Sequence, residues 1–129
     1  MSRIKILVVD DETTLTRMLK LNLENTGQFE VRTENKGSRT LTAAHEFKPD
    51  LILLDIMMPD MMGSEVAEKL LEDKKLKDIR IIFLTALISK HETETSDGRI
   101  AGRAFIAKPV SIEELIEFIE EELGISNNS

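Results

Sequence analysis

Three carboxylates, one hydroxyl and one ammonium stand where short apolar runs stop. Asp10 and Asp11 follow the run 4–9, and Asp55 follows 51–54. Thr85 follows 79–84, and Lys108 follows 104–107. Carboxylates brought together repel, and some must take up protons unless a cation intervenes. Their oxygens are hard ligands. The chain has no Cys, and neither of its two His lies in the pattern, so the set suits Mg²⁺ or a similar hard divalent ion. Such an ion keeps positions open for water or phosphate oxygens. A carboxylate beside it can attack phosphorus and become an aspartyl phosphate. Lys108 would neutralise charge on the transferring group. Thr85 can donate a hydrogen bond to one of its oxygens.

Each residue also has an ordinary reading. Asp10 or Asp11 can cap the helix that follows. Thr85 can be a satisfied strand-end hydroxyl, and Lys108 a surface lysine. Asp55 resists, because a carboxylate after four apolar residues needs a partner. The case for chemistry is the joint placement on one rim.

The elements that must position these groups can be read from hydrophobic periodicity. The runs 4–9, 51–54, 79–84 and 104–107 are nearly unbroken and rich in Ile and Val, as in strands covered on both faces. The run 29–33 alternates, as an edge strand does. Helical spacing joins Leu15, Met18, Leu19 and Leu23, then Leu41, Ala44 and His45 ahead of Pro49. A third stripe is Val66, Ala67, Leu70 and Leu71. The clearest is Ile112, Leu115, Ile116, Ile119 and Leu123. Ser111 and Glu114 form a capping box for that last helix, Val110 and Leu115 can staple it, and Gly124 ends it. Residues 89–98 have almost no apolar face, so a marginal helix or a loop is expected there. Five strands interleaved with five helices predict an α/β fold: a doubly wound, flavodoxin-like five-stranded parallel sheet in the order 2-1-3-4-5. Ligands of such sheets bind outside the carboxyl ends of the strands, where all five chemical groups fall.

Composition narrows the function further. The 129 residues suit one domain with a real core. Lys plus Arg is 17 and Asp plus Glu is 24, a net charge of −7 that argues against direct nucleic-acid or anionic-membrane binding. Without Cys there is no disulfide, thiolate metal site or Cys nucleophile. No apolar stretch approaches the roughly 18 residues of a membrane span. No leader pattern precedes the first strand, so a cytoplasmic location is expected.

The motifs, taken in order, resemble the receiver domain of two-component response regulators. They are Val8-Val9-Asp10-Asp11-Glu12, Leu53-Leu54-Asp55-Ile56-Met57-Met58-Pro59 with Gly63, Leu84-Thr85-Ala86, and Ala107-Lys108-Pro109. The resemblance runs from about Ile4 to Leu123. It implies that residues 1–124 form a receiver domain and 125–129 a polar tail. It implies that Asp55 is the phosphoacceptor, loaded from the phosphohistidine of a sensor histidine kinase or a phosphotransfer protein. Asp10, Asp11, Asp55 and the backbone carbonyl of Met57 would hold Mg²⁺ (or Mn²⁺). Thr85, Ala86 and Lys108 would receive the phosphoryl group. Phe105 would swing inward as Thr85 moves. The bond before Pro109 would be cis. The readout would be the face formed by the fourth helix, fifth strand and fifth helix, with a phosphorylation-dependent homodimer as one form of output. Such a domain catalyses only its own phosphorylation and dephosphorylation.

Some positions depart from the family pattern. Met57 and Leu87 are apolar where polar side chains orient attacking water, so slow hydrolysis is expected. Met62 replaces the usual polar cap before Gly63, so the third helix is expected to start irregularly. Phe105 lacks a hydroxyl. Three other readings remain open on sequence: an unphosphorylated interaction module, an Asp-based phosphatase, and a flavin or nucleotide binder. The phosphatase usually needs a second Asp where Met57 stands. The binder needs a phosphate-cradling loop where Asp10-Asp11-Glu12 stands.

Overall fold

A computed structural model describes residues 3–86, 99–100, 103–108 and 111–125, with only the backbone at 99, 100 and 103. The expected fourth helical segment, Leu87, Pro109, Val110 and the polar tail beyond Ile125 lie outside the described residues.

The central strands are β1 (Ile4–Val9), β2 (Phe29–Glu34), β3 (Leu51–Asp55), β4 (Arg80–Thr85), β5 (Arg99–Ile100) and β6 (Arg103–Ala107). The helices are α1 (Thr13–Asn25), α2 (Thr40–Phe47), α3 (Gly63–Glu72) and α4 (Ile112–Leu123), with a 3₁₀ turn at Gly37–Arg39 leading into α2. The sheet order is β2-β1-β3-β4-β6-β5. Its five long strands are parallel in the expected order. The addition is β5, which pairs antiparallel with β6 through Arg99 opposite Ala104. Two residues are too few to show a strand period.

Strand alternation divides the core between the two faces of the sheet. Ile6, Val8, Leu51, Leu53, Ile82, Leu84 and Ile106 point one way, against Leu19 and Leu23 of α1 and Leu115 and Ile119 of α4. Leu7, Val9, Ile52, Leu54, Phe83 and Phe105 point the other way, against Ala43 and Ala44 of α2 and Val66 and Leu70 of α3. Burial on both faces is why these runs are apolar between the strand ends, with Lys5 and Arg80 confined to the second position of the runs 4–9 and 79–84.

β2 is the edge strand its alternation predicts, with Phe29 and Val31 buried and Glu30 exposed. Its free edge is closed by α1. Glu24 accepts the Val31 N–H at 3.0 Å, and Lys20 Nζ donates to the Val31 carbonyl at 3.1 Å. At Val31, the middle of the strand, the edge groups are therefore not free to pair with another chain.

Helix faces follow the sequence with local shifts. In α2, Ala44 is buried and Leu41 packs partly buried against the same core, as expected, together with Thr40 and Ala43; His45 instead faces out and pairs with Asp73 at 2.7 Å. α3 does not start irregularly. Val66 N–H closes the first turn on the Met62 carbonyl at 3.1 Å, and Gly63 N–H goes to the Ile56 carbonyl at 2.8 Å. In α4 the Ser111 hydroxyl caps Glu114 N–H at 3.1 Å, and Gly124 closes the helix at φ 69°. No helix among the described residues is long and apolar enough to cross a membrane.

Candidate functional site

Parallel pairing puts every strand's carboxyl end on one rim. Asp55 is the last residue of β3 and pairs with Leu84, so Thr85 stands one rung beyond it. Thr85 in turn pairs with Ala107, and Lys108 follows directly, its N–H bonded to the Thr85 carbonyl at 2.9 Å. Asp10 follows β1, and its N–H bonds the Glu34 carbonyl at 3.1 Å. The register therefore assembles the sequence-expected groups.

The three carboxylates converge. Asp10, Asp11 and Asp55 each offer an oxygen, and these lie within 4.8 Å of one another. Asp10 and Asp55 are buried, while Asp11 is exposed. Lys108 Nζ stands 2.6 Å from Asp10 Oδ2 and 3.7 Å from Asp55 Oδ1. Burial pushes the Asp55 carboxyl up to about 6, and the charge of Asp10 adds to that. Lys108 and the Met57 N–H pull it down only partly. Burial alone would lower the Lys108 pKa, but its contacts with Asp10 and Glu12 outweigh that and raise it. Thr85 is buried at the rim. Ala86 is exposed beside it.

These residues fit a divalent cation. Asp10 Oδ2 is fully buried, and the Lys108 ammonium at 2.6 Å is what meets it. Three carboxylates within 4.8 Å share one ammonium, and the second buried acid is forced toward protonation; a hard ion cures that excess of negative charge.

Three supporting groups escaped the sequence reading. Asn35, just after β2, donates through Nδ2 to the Asp10 carbonyl at 2.8 Å and to Thr16 Oγ1 at 3.1 Å. An Asn at a strand's carboxyl end was the available signal. Glu12 reaches Lys108 Nζ at 3.0 Å. Asp60 accepts from Gly37 N–H at 3.1 Å and Ser38 N–H at 2.9 Å, tying the loop after Asp55 to the start of α2. The ordinary reading of Asp10 also holds in part, since its Oδ1 accepts the Glu12 N–H at 2.9 Å at the entry to α1.

The remaining expected residues are placed as follows. Phe105 is buried in the core on the α2 and α3 side, with its ring already inward. The Met57 side chain is half exposed. Gly63 packs against the end of β3 so closely that a Cβ would overlap the Asp55 carbonyl oxygen and lie 2.9 Å from Ile56 Cα.

A family model described as the response regulator receiver domain matches residues 6–120. This chain belongs to the response regulator receiver domain family. It is 36% identical over 120 residues to the polar-differentiation response regulator DivK of Brucella anthropi, covering 92% of this chain and 95% of the relative. Its fold is similar to a CheY-like receiver domain protein from Methanospirillum hungatei, with TM-score 0.79, 33% identity and 95% coverage of each chain. It is also similar to the chemotaxis protein CheY4 of Vibrio cholerae, with TM-score 0.80, 26% identity and coverage of 94% and 99%. Phosphorylation on an aspartate is the general property of receiver domains. Their role is signalling rather than conventional enzymatic turnover.

Proposed function

We propose that Asp55 is the phosphoacceptor of this receiver domain and that residues 1–124 form the phosphorylated unit. The observation that carries the assignment is the convergence of Asp10, Asp11 and Asp55 within 4.8 Å, with Lys108 between them. A carboxylate oxygen of Asp55 forms a bond to phosphorus as the phosphorus–nitrogen bond of a phosphohistidine breaks. The departing imidazole takes up a proton, and Asp55 becomes an acyl phosphate. The donor is a sensor histidine kinase or a phosphotransfer protein.

Asp10, Asp11, Asp55 and the Met57 backbone carbonyl would hold Mg²⁺ or Mn²⁺, which supplies charge neutralisation between the acceptor and the incoming group. Lys108, 3.7 Å from Asp55 Oδ1, would pair with the phosphoryl oxygens. The Thr85 hydroxyl donates to one of them, with Ala86 beside it. Phosphorylation adds about −1.5 to −2 charges and strong acceptor oxygens. That charge draws in Thr85 and holds Phe105 in its inward position, altering the face built on β6 and α4, through which a target protein or a second copy would sense it.

Incubation with Mg²⁺ and acetyl phosphate should add the mass of one phosphoryl group. Asp55→Asn should abolish the addition. A gain that survives Asp55→Asn overturns the acceptor assignment. No gain in the native protein would mark an interaction module that is not phosphorylated.

A further inference from the structure

Glu12 is the N-cap residue of α1, yet its carboxylate makes no capping hydrogen bond to the helix. The first-turn N–H groups and the helix dipole would both favour an acid there. The side chain instead crosses to the end of β6 and accepts a hydrogen bond from Lys108 Nζ at 3.0 Å. The ammonium thus faces three carboxylates: Asp10 at 2.6 Å, Glu12 at 3.0 Å and Asp55 at 3.7 Å. Asp55 is the farthest. The partners also differ in freedom. The Asp10 side chain is 0% exposed and the Glu12 side chain 61%. Asp10 cannot leave, whereas Glu12 can turn to solvent.

We propose that Glu12 is a positioning residue that holds Lys108 toward α1 and away from Asp55, so that a phosphoryl group on Asp55 must draw the ammonium from Glu12. This rests on the reading of Asp55 as acceptor. The competition is local. An exposed carboxylate–ammonium pair shifts an equilibrium by up to about five-fold. Glu12 therefore tunes occupancy of the modified state without taking part in the transfer.

Reach separates this role from simple charge. Glu12→Asp keeps the negative charge but is one methylene shorter, and Asp is a favoured N-cap that would fold back onto α1. Glu12→Gln keeps the length and removes the charge. The probe is beryllofluoride, BeF₃⁻, titrated calorimetrically into the full chain at saturating Mg²⁺. Both variants should bind it about three- to five-fold more tightly than the native protein, with unchanged thermal stability. In a Lys108→Met background neither change should alter BeF₃⁻ affinity. The proposal is overturned if Glu12→Asp behaves as native while Glu12→Gln does not, which marks bulk charge. It is also overturned if the effect persists without Lys108, or if neither variant changes affinity. If the native protein neither binds BeF₃⁻ nor is modified at Asp55 by acetyl phosphate, the acceptor reading itself fails.

Discussion

Asp60, at the tip of the loop between β3 and α3, accepts the N–H groups of Gly37 and Ser38. The Ser38 backbone contact leads the causes that hold its carboxyl below the ordinary range. Asp55, at the end of the strand that feeds the same loop, is raised to about 6 by burial and by Asp10. Asp60 is an acid in a place built for an anion. Asp55 is an acid whose anion the fold serves poorly. Structural carboxylates are given donors, whereas a reactive one is left to find a cation and then a phosphoryl group. The contrast also separates two jobs of one loop: its far end is anchored to the 3₁₀ turn that leads into α2, and its near end is held in electrostatic tension.

Gly63 lets both ends coexist, so its substitution should break the comparison most severely. The glycine packs on the Asp55 carbonyl while its own N–H reaches Ile56 at 2.8 Å. A methyl group there must push on backbone rather than on a flexible side-chain tip. Overpacking of this kind costs about 3 kcal/mol. Gly63→Ala should lose about that much stability in urea denaturation and should weaken Mg²⁺ binding by calorimetry. A loss under about 1 kcal/mol would show that the strand end yields freely.

A pH series isolates the Asp55 side of the contrast. The native carboxyl titrates near 6 against an ordinary value of 3.8. Between those values the folded protein binds more protons than the unfolded chain. The stability that this carboxyl contributes is full below about pH 3.8 and is lost as pH rises through about 6. In chelator-containing buffer at pH 7, Asp55→Asn should therefore stabilise the protein, by about 2 kcal/mol. Saturating Mg²⁺ should erase or reverse the gain on the proposed reading that the ion is held through Asp55. A metal-free variant no more stable than the native chain at pH 7 would mean that Lys108 already balances the pocket.

The rim was legible in the sequence because strands buried on both faces leave apolar runs, and a polar residue at their ends has few reasons to be there. Asp10, Asp55 and Thr85 stand out on that ground alone. The support around them was not legible, because it runs through main-chain atoms. Asn35 on the Asp10 carbonyl and Asp60 on two amides join segments distant in sequence and leave no periodic trace. Glu12 stood in the sequence only as the end of the acidic loop Asp10-Asp11-Glu12, and its reach to Lys108 depends on a backbone path no spacing encodes. In α2, Leu41 and Ala44 lie on the core side as their spacing implies, but His45 turns out to Asp73, a polar partner that helical spacing does not reveal.

The smallest effect, and the sharpest sign test, concerns Asp60. Its carboxyl is lowered from 3.8, so its contribution is present above that value and lost as pH falls below about 4. That slope is opposite to the slope of Asp55. Asp60→Ala removes an acceptor from two amides at an exposed helix entry, a change worth about 1 kcal/mol when a cap is lost. At pH 7 the variant should be less stable than the native protein by roughly that amount. The difference should shrink below pH 4, while the Asp55→Asn difference should already have vanished by then. Because Asp60 touches the 3₁₀ turn ahead of α2 rather than the acid cluster, its loss should leave acetyl phosphate modification of Asp55 within about two-fold of native, a limit set by the ~0.4 kcal/mol that separates such neighbours when they act independently. A large drop in modification would show that the far anchor of the loop also sets the geometry of the acceptor, and that the two carboxylates are one device.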